Sequence, residues 1–263
     1  MSSPTHRPRK RFGQHFLIDG QVIERLVRAI GPEPEQRLLE IGPGEGVLTR
    51  PLLAAGARVM AVELDRDLAA SLPDRLGQPE RLDVVQDDIL NVDLAALAGA
   101  EPVRVVGNLP YNISTPILFH LFGQLARVVD MHFMLQKEVV DRMVAAPGGR
   151  EYGRLSVMAG FFCEMERLFD VPPDAFRPPP KVMSAIVRLR PRRLSASNRA
   201  LLPALDQVVR HAFGQRRKTL RNSLRPVLDE SAIAAAGIDP GLRAERLGLD
   251  EFRRLAKGLR VRG

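Results

Sequence analysis

Apolar residues recur along the chain in short runs separated by longer amphipathic stretches. Five of these runs are Arg37–Ile41 (RLLEI), Arg58–Val62 (RVMAV), Leu82–Gln86 (LDVVQ), Val103–Gly107 (VRVVG) and Met131–Leu135 (MHFML). Each is too short for a helix and rich in aliphatic residues, so each is predicted to be a strand. Strands alternating with helical pattern predict an α/β fold with a doubly wound parallel sheet. Two further runs, Phe162–Phe169 and Val182–Leu189, read as a closing antiparallel pair. Between them lie Pro172-Pro173 and Pro178-Pro179-Pro180, a stiff extended loop that is not helical, because proline lacks the amide hydrogen.

After Pro191 the pattern changes. Asn198–His211, Arg216–Leu228, Asp229–Ala236 and Asp250–Leu259 read as helices, broken at Gly237-Ile238-Asp239-Pro240. The expected organisation is an α/β domain over residues 1–192, carrying a basic N-terminal arm, and a small all-helical domain over residues 193–263. The boundary falls near Pro191 and Ser195-Ala196-Ser197.

Charge sharpens this division. The net charge is +8 over 263 residues, but it is unevenly placed. The segment from Arg188 onward carries +11, the first eleven residues carry +4 and the stretch between carries −7. Basic ends around an acidic middle suit a polyanion held by the ends while another step occurs in the middle. The single cysteine, Cys163, excludes an internal disulfide and a cysteine-cluster zinc site, and reads as a small buried apolar residue. The longest charge-free stretch, Val105–Ala126, contains Asn108, Pro110, Asn112 and His120 and cannot cross a bilayer. The N-terminus lacks the apolar stretch of a secretory signal, so a cytoplasmic protein is expected.

Candidate chemistry sits at the strand ends. Gly42, Gly44 and Gly46 follow the first strand, where glycines let the backbone approach a ligand. Glu63 ends the second strand, where a carboxylate can accept from both hydroxyls of a ribose. Asp87-Asp88 ends the third, where the amino edge of an adenine can be bound. Glu40 either faces the ligand or ties down the glycine loop, and Asp65 and Asp67 read as solvated helix-start residues. Dinucleotide sites share the first two features; a tight turn without ligand also accounts for the glycines.

The fourth strand ends in Asn108-Leu109-Pro110-Tyr111-Asn112-Ile113-Ser114. In an open parallel sheet this turn lies beside whatever the glycine loop binds. Tyr111 offers a flat face on which a base can stack. Asn108 and the Pro110 carbonyl can accept from both hydrogens of an exocyclic amine. That favours a pyramidal nitrogen whose lone pair, otherwise delocalised into the ring, points at an electrophile. Position and electrostatics then drive the reaction, without metal or general base. A proline turn capped by Asn, with Tyr111 as packing, is the structural alternative.

The motifs Arg11-Phe12-Gly13-Gln14-His15-Phe16-Leu17, Glu40-Ile41-Gly42-Pro43-Gly44, Asn108 to Ser114 and Phe176-Arg177-Pro178-Pro179-Pro180-Lys181-Val182 resemble those of the ribosomal RNA adenine dimethyltransferases, most closely the bacterial small-subunit members. The resemblance runs in order from about Arg9 to the C-terminal helices. It implies a Rossmann-like class I S-adenosylmethionine-dependent methyltransferase fold with a small helical C-terminal domain. It implies S-adenosylmethionine as methyl donor. The implied substrate is two adjacent adenines in the 3′-terminal hairpin of 16S rRNA, within the small subunit or its precursor, each converted to N6,N6-dimethyladenine. It places His15, Leu17, Gly42, Glu63, Asp88 and Asn108 at the cofactor, with Gly44 from the glycine turn. Glu63 would take the ribose, Asp88 the adenine amine and Gly42 the methionine part, while His15 and Leu17 close the pocket. Some relatives carry Asn where this chain has His15. Asn108, Pro110 and Tyr111 would orient the target base and Phe176 cover its other face; read from the residues alone, Phe176 is equally a core plug.

Arg217, Arg221 and Arg225 are four apart and, with Arg216 and Lys218, predict a basic helix ridge facing RNA phosphates. A solvated helix face is the plainer reading. Arg7, Arg9, Lys10 and Arg11 add a second basic contact. His6, His120, His132 and His211 lack metal-ligand spacing and receive no role. No metal, no membrane association and a monomeric state are expected. Three other functions remain in view: a large-subunit rRNA adenine dimethyltransferase, a non-catalytic ribosome-assembly factor and a nicotinamide-dependent oxidoreductase. A role in subunit maturation is compatible with catalysis.

Overall fold

The computed structural model describes residues 14–215 and 217–260. Arg7, Arg9, Lys10, Arg11 and Arg216, all named above as basic contacts, lie outside them. The described residues divide into two compact units: one holds those up to Val140 together with Glu166–Pro191, the other holds Asp141–Met165 and those from Arg192 onward. Residues 141–165 are thus grouped with the helical unit, whereas the sequence placed them in the first domain.

The first unit opens with a two-residue strand, β1 (Phe16–Leu17), and helix α1 (Gly20–Ile30), started by the Asp19 side chain accepting from the Gln21 and Val22 amides. Then follow β2 (Arg37–Ile41), α2 (Thr49–Ala54), β3 (Arg58–Glu63), α3 (Arg66–Leu76), β4 (Leu82–Gln86), α4 (Leu94–Ala98), β5 (Val103–Asn108), α5 (Ser114–Phe122) and β6 (Val128–Gln136). Two of the five predicted strands match end to end, and the other three extend by one to four residues. After α6 (Lys137–Val144) and α7 (Arg154–Phe162) the chain returns through β7 (Cys163–Val171), β8 (Phe176–Arg177) and β9 (Ser184–Pro191). The proline-rich segment takes one 3-10 turn, Pro173–Ala175, with Pro173 at the first position where no amide is needed.

The main sheet has the order β4-β3-β2-β5-β6-β9-β7. Strands β2 to β6 pair in parallel and β9 pairs antiparallel with β6. Successive strands run outward from β2 to β4, and the chain then crosses back to place β5 on the other side of β2. Ligands of open α/β sheets bind at such a reversal, outside the carboxyl ends of the strands. Here those ends are Ile41 and Asn108. β2 and β5 are close neighbours because Gly107 has no side chain: a Cβ there would lie 2.6 Å from the Ile41 carbonyl oxygen.

The short strands β1 and β8 pair antiparallel, Leu17 opposite Phe176. Leu17, Leu26, Val106, Phe169, Ala175, Phe176 and Ile186 belong to one buried cluster. The N-terminal strap is therefore fastened to the proline-rich loop and to the core.

The second unit is built on α8 (Ala196–Gly214), which packs against α11 (Leu249–Arg260) through the Phe213 and Phe252 rings, 5.6 Å apart. The predicted helix Arg216–Leu228 contracts to α9 (Leu220–Ser223), and α10 (Glu230–Ala235) follows. The reason is tertiary. The amides of Leu220 and Arg221 donate to the Leu242 and Pro240 carbonyls, and Thr219 forms an antiparallel bridge with Arg243. Pro226, which has no amide hydrogen, follows soon after. Among the described residues no helix is long and apolar enough to cross a membrane.

Candidate active site

The carboxyl ends of β2 to β5 and the N-terminal strap enclose a cleft of about 260 Å³. His15, Leu17, Gly42, Gly44, Glu63, Asp88, Asn108, Pro110 and Tyr111 all line it. These positions come from five separate segments, and the fold gathers them in one place.

The glycine loop is held from two sides. Gly44 has φ +58°, a left-handed conformation that side chains disfavour. Its amide donates to Glu63 Oε2 at 3.1 Å, while Glu63 Oε1 accepts from the Asp65 amide at 2.9 Å. Phe16 closes the other side, its ring 3.0 Å from where a Gly44 Cβ would stand. Burial pushes the Glu63 carboxyl up from its ordinary pKa, against the two backbone amides that favour its charge.

Glu40 lies beneath the same loop. It is buried, and its Oε2 accepts from Thr49 Oγ1 at 2.7 Å, tying the end of β2 to the start of α2. Burial, with Glu63 nearby, pushes its pKa up to about 7. Glu40 thus both faces the cleft and fastens the loop. Asp65 does start α3, accepting from the Asp67 amide, but it is 1% exposed and not solvated. Asp88 accepts from the Leu90 amide through Oδ1 at 3.0 Å, and its own amide donates to Asp87. It stands half-buried beside Leu64, Ile89 and Leu90, an apolar lining of the kind a flat ring needs.

The turn after β5 is anchored by the Leu109 amide donating to the Met134 carbonyl, and the Pro110 carbonyl accepts from the Ile113 amide at 3.2 Å. The Asn108 amide nitrogen Nδ2 donates to the His15 carbonyl at 2.9 Å. Because a carbonyl only accepts, this bond sets the amide orientation and leaves Oδ1 as the acceptor. The His15 ring stacks on Tyr111, with centroids 5.5 Å apart and planes 25° from parallel, and its Nδ1 donates to the Pro178 carbonyl at 2.7 Å. The Tyr111 hydroxyl bonds Ser184 Oγ.

Two expectations need correction. Phe176 is 2% exposed, paired with Leu17 and part of the core, and it is not among the residues that line the cleft. Strand alternation turns it inward, so the core reading holds over the base-covering one. The basic residues Arg217, Lys218, Arg221 and Arg225 are exposed but do not form one helical ridge, since only Arg221 lies in α9. Arg221 is also ion-paired with Glu230 at 2.8 Å. The Thr219–Arg243 bridge instead sets Arg243 beside the Arg217-Lys218 segment. Phe16 and Ser184 were missed by sequence reasoning. Phe16 lies inside a motif already singled out, whereas Ser184 lies in the predicted strand Val182–Leu189 with no signal tying it to the site.

The lining fits S-adenosylmethionine. A Cβ on Gly42, which has φ +66°, would meet no atom within 4 Å, so the cleft is open at that point. Carboxylates at Glu63 and Asp88 suit hydroxyl and amine donors, and Leu64 and Leu90 suit a purine face.

The family model for ribosomal RNA adenine dimethylase matches residues 5–260. A protein of Methylococcus capsulatus named ribosomal RNA small subunit methyltransferase A is 56% identical over 254 residues, covering 97% of this chain and 98% of that one. Its namesake from Acinetobacter baylyi is 55% identical, covering 94% and 90%. Among solved structures, a dimethyladenosine transferase from Plasmodium falciparum superposes with a TM-score of 0.76 at 24% identity, covering 92% of this chain and 96% of that one. The 23S rRNA methyltransferase ErmE superposes with a TM-score of 0.70 at 30% identity, covering 93% and 99%. With the family match spanning residues 5–260 and the glycine-loop and Asn108 motifs gathered around one cleft, the chain belongs to the ribosomal RNA adenine dimethylases, S-adenosylmethionine-dependent methyltransferases of Rossmann-like fold.

Proposed function

We propose that this enzyme dimethylates the N6 amines of two adjacent adenines near the 3′ end of small-subunit rRNA, acting on the small subunit or its precursor. The observation that carries this reading is the fixed amide of Asn108. Its Nδ2 is committed to the His15 carbonyl, so Oδ1 is the acceptor available to an exocyclic amine. The relatives named for the small subunit support that choice of substrate, at 55–56% identity against 30% for the 23S enzyme.

When bound, S-adenosylmethionine supplies a methyl group on a positively charged sulfur. Glu63 would hold its ribose, Asp88 its adenine amine and the Gly42–Gly44 loop its methionine part, with His15, Leu17 and Asn108 closing the pocket. Glu63 already accepts two amides, but a carboxylate has about four acceptor sites, which leaves room for hydroxyls. Asn108 Oδ1 and the second lone pair of the Pro110 carbonyl accept the two N6 hydrogens, and Tyr111 supports the ring. Holding both hydrogens draws the nitrogen lone pair out of conjugation and towards the methyl; the proton released leaves to water. After the first transfer one hydrogen remains, which the short neutral Asn108 accommodates.

The helical unit holds RNA through Arg216, Arg217, Lys218 and Arg225, with Arg221 shared with Glu230. Phosphate contacts of this kind position a substrate rather than read its sequence. The enzyme works as a cytoplasmic monomer without metal, and contributes to subunit maturation.

The test is to offer labelled S-adenosylmethionine with unmodified small or large subunits and to identify the labelled nucleoside. Dimethyladenosine at two adjacent sites in small-subunit RNA is expected. Label in the large subunit alone would overturn the substrate assignment.

A further inference from the structure

We infer that Ser184 is a positioning residue for methyl transfer, its buried hydroxyl fixing the Tyr111 ring as the platform for the target adenine. This rests on the reading of Tyr111 as the base-stacking residue.

Ser184 is fully buried at the first position of β9, followed by the apolar residues Ala185, Ile186 and Val187. A hydroxyl among such neighbours is unfavourable unless it is hydrogen-bonded. Among the described residues its bonding partner is the Tyr111 hydroxyl. Tyr111 belongs to the turn after β5 and lines the cleft. The bond therefore ties a cleft side chain to the frame of the sheet.

That frame also carries the acceptor for the amine. Asn108 is in register with Met134, Met134 with Ile186, and Gln136 with Ser184. Asn108 and the anchor of Tyr111 thus stand on strands joined through β6, with no loop between them. The His15 ring lies against one face of Tyr111 and limits its tilt. The hydroxyl bond at the far end of the ring limits its swing. A tyrosine side chain has two principal torsions, and these two contacts constrain both.

Misplacement of a reacting group by about 1 Å can lower a rate by up to about a hundredfold. Loss of one hydrogen bond at the ring edge is a smaller disturbance, so about a tenfold loss in kcat is expected. KM for the subunit should change less than twofold, because the RNA is held elsewhere.

The experiment uses the full chain, unmodified small subunits and labelled S-adenosylmethionine, comparing Ser184→Ala, Tyr111→Phe, the double variant and Tyr111→Ala. Folding is checked by thermal melting, and cofactor-site integrity by S-adenosylhomocysteine calorimetry. Ser184→Ala and Tyr111→Phe should lower kcat by the same factor, the double variant no further, with S-adenosylhomocysteine affinity within twofold of the wild type. Losses that multiply in the double variant would overturn the inference. Should Ser184→Ala fail to fold, Tyr111→Phe removes the same bond from the cleft side, and a wild-type kcat for it would equally overturn the inference. Tyr111→Ala separates the two claims. A large loss there beside full activity in Tyr111→Phe defeats only the role of Ser184, whereas full activity in Tyr111→Ala defeats the stacking reading itself.

Discussion

Glu63 accepts the backbone amide of Gly44 at 3.1 Å, so the carboxylate at the end of one strand holds the glycine loop that follows its neighbour. Its other oxygen accepts the Asp65 amide at 2.9 Å. The loop conformation and the expected ribose contact therefore depend on one side chain. Glu63→Ala leaves two amides without this acceptor, each costing about 1–3 kcal/mol where no water replaces it. The variant is expected to bind S-adenosylhomocysteine at least about tenfold more weakly and to melt earlier. Calorimetry and thermal melting check both, and unchanged affinity would remove Glu63 from the cofactor site.

Glu40 predicts an inverse dependence of stability on pH. Its folded pKa of about 7 lies above the ordinary carboxyl value of 4.5. Proton binding thus favours the folded state: the contribution is complete below pH 4.5 and is lost as pH rises through 7. Glu40→Gln keeps an acceptor for Thr49 but cannot ionise. It is expected to match the wild type near pH 4 and to exceed it by up to about 3 kcal/mol at pH 8, measured by urea unfolding. An equal difference at both pH values would contradict this.

Acid is expected to destabilise the fold through His132. It is 1% exposed in β6, and burial holds its pKa down at about 4 from an ordinary 6.5. Asp130 raises it, while Arg104, Arg188 and Arg190 lower it. Asp130 itself is gripped by Arg104 at 2.7 and 2.9 Å. The unfolded chain takes up the proton first, so the contribution of His132 to stability is complete above pH 6.5 and is lost as pH drops towards 4. His132→Phe should show a shallower decline over that window, by up to about 3 kcal/mol. Parallel pH profiles of melting for variant and wild type would refute the assignment.

Gly107→Ala tests the close approach of β2 and β5. The added Cβ would stand 2.6 Å from the Ile41 carbonyl oxygen, a backbone atom. The strands must separate beside Asn108, at about 1–3 kcal/mol in stability and with loss of activity. Wild-type melting and turnover would show that the two ends tolerate separation.

What could be read from the sequence followed from local physics. RLLEI lies in the middle of the sheet and is buried along most of its length, whereas LDVVQ is the half-exposed edge strand β4; both are short aliphatic runs bounded by turn residues, and both matched strand for strand. Site residues at the ends of those strands inherited their positions from the topology. Contacts made only by tertiary structure were not legible. Ser184 meets Tyr111 across 73 positions, and although it stands two residues after the Phe176–Val182 motif, nothing in the sequence joins it to the turn after β5. The fourfold spacing of Arg217, Arg221 and Arg225 mimicked a helix, but the Leu242 and Pro240 carbonyls take the amides that would have started it differently. Phe176 carried both a core and a site signal, and its pairing with Leu17 selects the core. Residues 141–165 run into the start of β7 in the chain, and only tertiary contacts group them with the helical unit.

The most direct measurement is methyl transfer from labelled S-adenosylmethionine to unmodified small subunits by wild type and Asn108→Ala, at saturating cofactor, with the RNA digested to nucleosides. The fixed Asn108 amide predicts dimethyladenosine from the wild type and formation slower by about a hundredfold or more in the variant. Equal rates would contradict the assignment of Asn108 as the residue that orients the target amine.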